Sequence, residues 1–203
     1  MLMVKAGEVV DHFVDLLMPY LSSGDVVIDG GNSNFKDTNR RIAALAKLGI
    51  LYVGAGVSGG EEGALHGPSI MPGGSAAAWK FVRPIFQSIC AKVDGGSPCC
   101  DWVGDGGSGH YTKMVHNGIE YGDMQLICEA YAVMKVVGGF DNDKIQGIFT
   151  QWKTSELDSF LVDITADIFA YKQPNGTHLI DSILDAAGQK GKQFRYGTKI
   201  IIA

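Results

Sequence analysis

The hydrophobic periodicity of this chain changes near residue 105. Before that point, short β-branched runs alternate with stretches in which apolar residues recur at the helical spacing. Such alternation is typical of a parallel sheet covered by helices. After that point, the apolar spacing is helical throughout. We therefore predict an α/β fold, with a parallel-sheet domain over residues 1–105 and an all-helical domain over residues 106–203.

The individual elements follow from the same patterns. In the first domain we predict helices over residues 8–18, 37–48 and 76–90, and strands over residues 25–29, 51–53, 69–72, 91–93 and 101–103. A glycine-rich loop is expected over residues 54–67, and Arg40 and Arg41 are expected on the solvent face of their helix. In the second domain we predict a long helix over residues 109–137, then helices over residues 142–153, 156–171 and 178–187.

Composition excludes several classes of protein. A net charge of −5 gives no sign of the clustered basic face that nucleic-acid binding requires, so no nucleic-acid partner is predicted. No apolar run approaches the roughly 20 residues that span a bilayer, and the first residues lack the pattern of a secretory signal, so no membrane association is expected. The four cysteines show neither a C-x-x-C pair nor metal-ligand spacing. We expect free thiols, a cytoplasmic location and no metal site.

Four polar residues of different chemistry share one face of the long helix. Lys113, His116, Asn117 and Glu120 stand at i, i+3, i+4 and i+7, while the neighbouring positions are largely apolar. Burial lowers the pKa of a lysine, which can then act as a base, and lets a glutamate stay protonated and donate. The pattern fits an acid–base stripe that lines a cleft. It also fits a plain solvated stripe, because residues seven apart are too distant for a salt bridge.

Three turns hold further candidate residues. In Gly56–Gly63, consecutive glycines and the Ser58 hydroxyl could converge on an anion, or the segment could be an ordinary tight turn. In Asp29–Ser33, Asn32 could contact a hydroxylated substrate or simply cap the following helix. Lys190 lies in a glycine-flanked turn, and on pattern alone it is an ordinary solvated lysine.

Taken together, these segments resemble the 6-phosphogluconate dehydrogenase family. The matching stretches run in order along nearly the whole chain and comprise residues 3–7, 28–33, 56–63, 67–74, 98–105, 113–126 and 187–191. Pro-Cys-Cys-Asp-Trp at residues 98–102 and Lys-Met-Val-His-Asn-Gly-Ile-Glu-Tyr-Gly-Asp at residues 113–123 are hard to reach by chance. The resemblance implies a Rossmann-like NADP-binding domain followed by part of the family's helical C-terminal domain.

The resemblance also implies a reaction, in which NADP-dependent oxidative decarboxylation converts 6-phosphogluconate to ribulose 5-phosphate and CO₂ in the pentose phosphate pathway. By matching position, Lys113 would be the general base and Glu120 the acid that protonates the enediol. The residues implied to bind the substrate are Asn32, Ser58, Gly59, Gly60, His116, Asn117, Tyr121 and Lys190. Those implied to touch the cofactor are Val4, Lys5, Ala6 and Asn32. The complete enzyme would be a homodimer.

Two departures from the family pattern qualify this interpretation. The glycine fingerprint that opens the family's first βαβ unit and binds NADP has no counterpart in this sequence, and the residues after Gly191 leave the family pattern. We therefore expect a fragment that is weakly active or inactive by itself. The alternatives are a β-hydroxyacid dehydrogenase acting on a short acid and a non-catalytic remnant. Glu120 and Lys190 argue against the first, because a simple oxidation of an unphosphorylated acid needs neither.

Overall fold

The computed structural model describes residues 1–184 and residue 186. The chain divides into two compact units, one built from Met1–Asn117 and a second that begins at Gly118. In chain order, the helices and strands of the first unit are α1 (Glu8–Leu17), β1 (Val26–Asp29), α2 (Phe35–Ala46), β2 (Leu51–Ser58), α3 (Gly60–His66), β3 (Ser69–Gly74), α4 (Trp79–Ile89), β4 (Gly104–Asp105) and the first turns of α5 (Ser108–Ala132).

Four strands form one sheet in the order β1-β2-β3-β4. The β1–β2 and β3–β4 pairs are parallel, whereas β2 and β3 run antiparallel. Leu2 extends the free edge of β1 through a parallel bridge to Asp29. The α/β fold class is confirmed, and the sheet is mixed with a parallel majority rather than purely parallel.

The antiparallel pair follows from the short connection between β2 and β3. Only residues 59–68 separate the two strands, whereas a parallel crossover needs a dozen or more residues. The prediction of a glycine-rich loop over residues 54–67 was wrong, because residues 54–58 complete β2 and residues 60–66 form α3. Glycine is depleted in strands, and its abundance hid the second half of β2. The strand predicted over residues 91–93 is reduced to an isolated bridge between Lys92 and Pro98. Residues 101–103 form no strand and lie between the bridge at Cys100 and the two-residue β4.

Alternation along β2 sends its side chains to two faces of the sheet. Val53 and Ala55 are buried in the apolar cluster that includes α4. Tyr52 lies on the opposite face, in the cluster formed with α1 and α2. The other buried members of that cluster are Leu2, Val10, Val14, Val27, Leu45 and Ile50. Gly54 and Gly56 share the Tyr52 face by alternation, and they leave that stretch of the sheet without side chains.

The second unit is helical, as predicted. The remainder of α5 continues through one π-helical turn at Val133–Val137, and α6 (Asn142–Trp152) and α7 (Phe160–Ala170) follow. Their buried side chains form one apolar cluster, made of Ile145, Phe149, Val162, Ala166 and Phe169. Among the described residues, none of the helices combines the length and the apolar character needed to cross a bilayer.

Two predicted helix boundaries in this unit needed correction. The helix expected from residue 156 begins at Phe160, because the Ser159 hydroxyl accepts a hydrogen bond from the amide of Val162 and caps the helix there. The helix expected over residues 178–187 is only a 3₁₀ turn, Leu179–Ser182, within the part of the chain that the structure describes.

Candidate active site

Two glycines of β2 let the first turns of α5 lie directly on the strand. A Cβ atom at Gly54 would stand 2.8 Å from Nδ1 of His110, and one at Gly56 would stand 2.5 Å from Cβ of Lys113. A Cβ on Gly109 would likewise clash with the carbonyl oxygen of Gly54. Any larger residue at these positions would push α5 away from the sheet. The glycines therefore determine how closely the side chains of α5 approach the sheet.

Lys113 and the Ser58–Gly60 turn lie at the same end of β2. The lysine is 6% exposed and its stem packs on Gly56. Ser58 projects from the same face of the strand two residues further on, by the alternation of β-strand side chains. The backbone then turns through Gly59 (φ 141°) and Gly60 (φ 57°), both in the region that favours glycine.

His116 and Asn117 accompany Lys113 along α5. Both are half-buried, and Nδ1 of His116 lies 3.3 Å from Oδ1 of Asn117. Residues three and four positions after Lys113 share its face of the helix. An amine, an imidazole and a carboxamide are therefore presented together within the first unit.

Asn32 lies in the turn between β1 and α2. The alternative that Asn32 caps α2 was wrong, because the N-cap is Asn34, whose Oδ1 accepts a hydrogen bond from the amide of Lys36 at 2.9 Å. The segment expected to touch a cofactor lies beside this turn, since a Cβ on Gly31 would stand only 2.7 Å from the carbonyl oxygen of Val4. The structure thus brings Val4 and the turn that carries Asn32 together. Lys5 and Ala6 follow Val4 directly.

A buried polar network behind this turn was missed by the sequence analysis. Asp29 accepts hydrogen bonds from the hydroxyls of Ser33 (2.6 Å) and Tyr52 (3.0 Å), and Arg41 lies 3.6 Å from the same carboxylate. Arg41 was expected on the solvent face of α2, but it is buried and also pairs with Asp11 at 2.8 Å. Burial and the neighbouring Asp29 carboxylate raise the pKa of Tyr52, so that its hydroxyl stays protonated and donates.

His110 is also part of this buried region, although its sequence position appears isolated. The ring is 1% exposed, and Nδ1 lies 2.7 Å from Oγ1 of Thr38, which in turn lies 3.2 Å from the carbonyl oxygen of Asn34. Burial lowers the pKa of His110, while the Asp29 carboxylate and the nearby backbone of Gly31 oppose that shift. Nε2 has no partner within hydrogen-bonding geometry among the described residues. The ring therefore connects the start of α5 to α2 in its neutral form.

The sequence models of two protein domains match nearly the whole chain. Residues 1–104 match the NAD binding domain of 6-phosphogluconate dehydrogenase, and residues 109–195 match the C-terminal domain of 6-phosphogluconate dehydrogenase. The chain belongs to the 6-phosphogluconate dehydrogenase family. The resemblance inferred from its motifs is confirmed.

Individual relatives give the extent of the similarity to 6-phosphogluconate dehydrogenases. The decarboxylating enzyme of Aggregatibacter actinomycetemcomitans is 64% identical over 191 residues, which are 94% of this chain and 40% of that protein. The solved structure of Plasmodium falciparum 6-phosphogluconate dehydrogenase, studied in its apo form and with NADP⁺ or 6-phosphogluconate, superposes with a TM-score of 0.90 at 45% identity and covers 96% of this chain and 41% of that one. The chain thus spans about 40% of the length of these curated relatives.

A 3-hydroxyisobutyrate dehydrogenase from Mycobacterium tuberculosis shares only the fold. It superposes with a TM-score of 0.67 at 20% identity, over 98% of this chain and 71% of that one. The Rossmann-like sheet followed by helices is therefore common to both groups, whereas the sequence identity is to the 6-phosphogluconate dehydrogenases.

The remaining residues implied by the family lie in the second unit or beyond the described residues. Glu120 and Tyr121 are half-buried on α5. Lys190 lies outside the described residues. Within the described part of the chain, no three His, Cys, Asp or Glu side chains gather in an arrangement that could hold a metal ion.

Proposed function

We propose that this chain carries the acid–base and carboxylate-binding part of an NADP-dependent, decarboxylating 6-phosphogluconate dehydrogenase. The observation that carries the proposal is the buried Lys113, which packs on the face of β2 that carries Gly54 and Gly56 (the glycine face). It lies at the end of β2 where the Ser58–Gly60 turn begins. An amine in such a setting can take a proton from a substrate whose carboxylate is bound by that turn. The complete enzyme would convert 6-phosphogluconate to ribulose 5-phosphate and CO₂ as a cytoplasmic homodimer.

Lys113 would act on the oxygen at C3 of the substrate. It removes the hydroxyl proton as the C3–H bond breaks, and it returns a proton to that oxygen as the carbonyl gains charge during loss of CO₂. Glu120 follows two turns later on α5, on the face that carries Lys113. Its carboxylic acid would protonate the enediol carbon from which CO₂ has left.

The other residues would hold the two anionic ends of the substrate and the hydroxyls between them. Ser58 and the amides of Gly59 and Gly60 would bind the carboxylate, since convergent N–H and O–H donors suit a carboxylate in a site shielded from water. Asn32, His116 and Asn117 would contact the hydroxyls. Tyr121 and Lys190 would bind the phosphate, which calls for a hydroxyl donor and a cation.

NADP would supply the hydride acceptor at C3, with Val4, Lys5, Ala6 and Asn32 as the residues that touch it. The fit is favourable on one side, because the Val4 backbone and the glycine-rich turn before Asn32 lie together after the parallel strand β1, where open α/β sheets bind dinucleotides. The sequence contains two G-x-G-x-x-G strings, at residues 54–59 and 104–109, but their glycines Gly54, Gly56 and Gly109 pack β2 against α5. Neither string is the pyrophosphate-binding fingerprint of a first βαβ unit. The 203 residues would therefore contribute the nicotinamide side of the cofactor site.

We also propose a domain boundary near residue 105, with a partial NADP-binding domain over residues 1–105 and a partial helical domain over residues 106–203. Support comes from the two domain models, which match residues 1–104 and 109–195. A β-hydroxyacid dehydrogenase activity is not favoured, since similarity to that group is limited to the fold at 20% identity.

The test is the turnover of Lys113→Ala in a full-length family protein that contains these residues. Loss of a general base lowers kcat by about two or more orders of magnitude. The rate is followed through NADPH absorbance and CO₂ release with saturating 6-phosphogluconate. Lys47→Ala is the matched control, because Lys47 is an exposed lysine at the end of α2. Near-normal turnover of Lys113→Ala would remove this residue from the role.

A further inference from the structure

One buried carboxylate holds the residues on both sides of Asn32. Oδ1 of Asp29 accepts a hydrogen bond from the backbone amide of Gly31 at 3.1 Å, and Oδ2 accepts one from the hydroxyl of Ser33 at 2.6 Å. Asn32 lies between these two anchored residues. One side chain of β1 therefore anchors the backbone on both sides of Asn32.

The carboxylate itself is fixed from the opposite direction. Asp29 is 0% exposed, and its Oδ2 also accepts a hydrogen bond from the Tyr52 hydroxyl at 3.0 Å and lies 3.6 Å from Nη1 of Arg41. Tyr52 comes from β2 and Arg41 from α2, so two further elements determine the position of Asp29. Contacts from β2 and α2 thus hold the carboxylate in place, and the carboxylate in turn holds the backbone of the turn.

A buried ion pair is a costly way to hold a turn. Taking a carboxylate and a guanidinium out of water costs several kcal/mol per ion, and replacing buried pairs by apolar residues is often neutral or stabilising. Two of the hydrogen bonds that Asp29 accepts come from Gly31 and Ser33, the two neighbours of Asn32. Such placement suits a site that must hold a contacting side chain within a fraction of an ångström.

We propose that Asp29 is a positioning residue for Asn32, and that Ser33 and Tyr52 act with it to present Asn32 to the substrate and the nicotinamide. This inference rests on the proposed function, in which Asn32 makes those contacts. Asp29 itself touches neither ligand. It acts through the geometry of the turn.

The test is a double-mutant cycle on Asn32 and Ser33 in a full-length family protein that contains these residues. Asn32→Ala and Ser33→Ala are each expected to raise KM for 6-phosphogluconate and to lower kcat/KM by about tenfold or more, since a displacement near 1 Å can cost about 100-fold. In the Asn32→Ala background, Ser33→Ala should change kcat/KM by less than about twofold. The anchor has no further kinetic effect once the side chain that it positions is gone.

A purely structural role would give a different result. Loss of folded protein lowers the apparent kcat and leaves KM unchanged. Gln87→Met is the matched control. Gln87 lies in α4, and the substitution removes its hydrogen bond to the carbonyl oxygen of Cys100 (3.0 Å). It should leave KM unaltered. Tyr52→Phe is the second variant if Ser33→Ala does not fold, since it deletes one hydroxyl on the same carboxylate.

The outcomes separate the two proposals. Non-additive effects of Asn32→Ala and Ser33→Ala on kcat/KM support the positioning role. Additive effects, or an unchanged KM in Ser33→Ala and Tyr52→Phe while Asn32→Ala is impaired, overturn it and leave the proposed function intact. A kinetically normal Asn32→Ala would refute the contact assigned to Asn32, and the positioning role would fail with it.

Discussion

Lys113 of α5 has a buried stem and lies against the carboxyl-terminal half of strand β2. With 6% of its surface exposed, the side chain has few directions available, and the missing side chain of Gly56 leaves the space in which its stem packs. The amine is therefore held before any substrate arrives. Preorganisation of this kind is what a base acting on one hydroxyl requires.

Ser58 should govern substrate affinity more than the chemical step. A hydrogen bond to a charged partner contributes about 1.5–3 kcal/mol, so we expect Ser58→Ala to raise KM for 6-phosphogluconate by about tenfold or more in a full-length family protein. kcat should change less. Steady-state kinetics measure both values. Ser88→Ala is the control, since that exposed hydroxyl of α4 donates to the carbonyl oxygen of Ile85 in its own helix. An unaltered KM in Ser58→Ala would remove Ser58 from the carboxylate site.

For single residues, the sequence was sufficient to predict which polar side chains share a helical face, because these residues lie within a few positions of one another. Lys113, His116 and Asn117 stand on one helical face in the structure, as their positions indicated. The Asp29–Tyr52 pair was not predictable, because the two residues meet only through the register of β1 and β2, in which Val27 pairs with Tyr52. Arg41 was misjudged for a similar reason, since its partner Asp11 lies 30 residues away on another helix.

Among the elements, the contact between β2 and α5 depends on the absence of side chains. Gly56→Ala would place a Cβ 2.5 Å from Cβ of Lys113, and overpacking of this kind costs about 1–3 kcal/mol. We expect a lower melting temperature and, in a full-length family protein, reduced turnover. Gly147→Ala is the matched control, because Gly147 lies within α6 and a Cβ there meets nothing within 4 Å. It should be neutral or stabilising by up to about 1 kcal/mol. Equal melting temperatures for both variants would contradict this packing.

Helices α1 and α2 are linked by the pairing of Asp11 with Arg41 and Arg40. Hydrogen bonding from Arg41, with Arg40 assisting, lowers the pKa of Asp11 to about 2 against partial desolvation. A lowered carboxyl pKa stabilises the fold above the unfolded value near 3.9, and this contribution is lost as pH falls through about 2. Allowing for solvent screening of a side chain that is one-third exposed, we expect about 1 kcal/mol.

This contribution can be measured as the free energy of unfolding by urea. Asp11→Asn should be less stable than the parent chain at neutral pH, and the difference should disappear as pH falls to about 2. Asp15→Asn, on the exposed side of the same helix, serves as control and should change stability little. A difference between Asp11→Asn and the parent chain that is the same at neutral and acidic pH would exclude the ion pair as its cause.

For the whole molecule, periodicity in the sequence was sufficient to predict an α/β sheet followed by helices, because each period reflects local geometry. Periodicity could not predict that β2 and β3 are antiparallel. The direction of β3 follows from the short connection after β2, and the predicted loop over residues 54–67 hid both the end of β2 and the helix α3 in that connection. The family followed from ordered motifs, and the domain models support it over nearly the entire chain. The reaction assigned to the complete protein rests on that family and on the glycine face beneath Lys113.

Chemical rescue of Lys113→Ala by small primary amines, in a full-length family protein that contains these residues, tests whether Lys113 is the general base. If Lys113 is the base, methylamine or ethylamine should enter the space left by its side chain and restore part of the lost turnover of 6-phosphogluconate. The rate should increase with the concentration of the free-base amine, and the parent enzyme and Lys47→Ala should show no such increase. A turnover of Lys113→Ala that does not respond to any amine while substrate binding is retained would contradict the assignment of Lys113 as the general base.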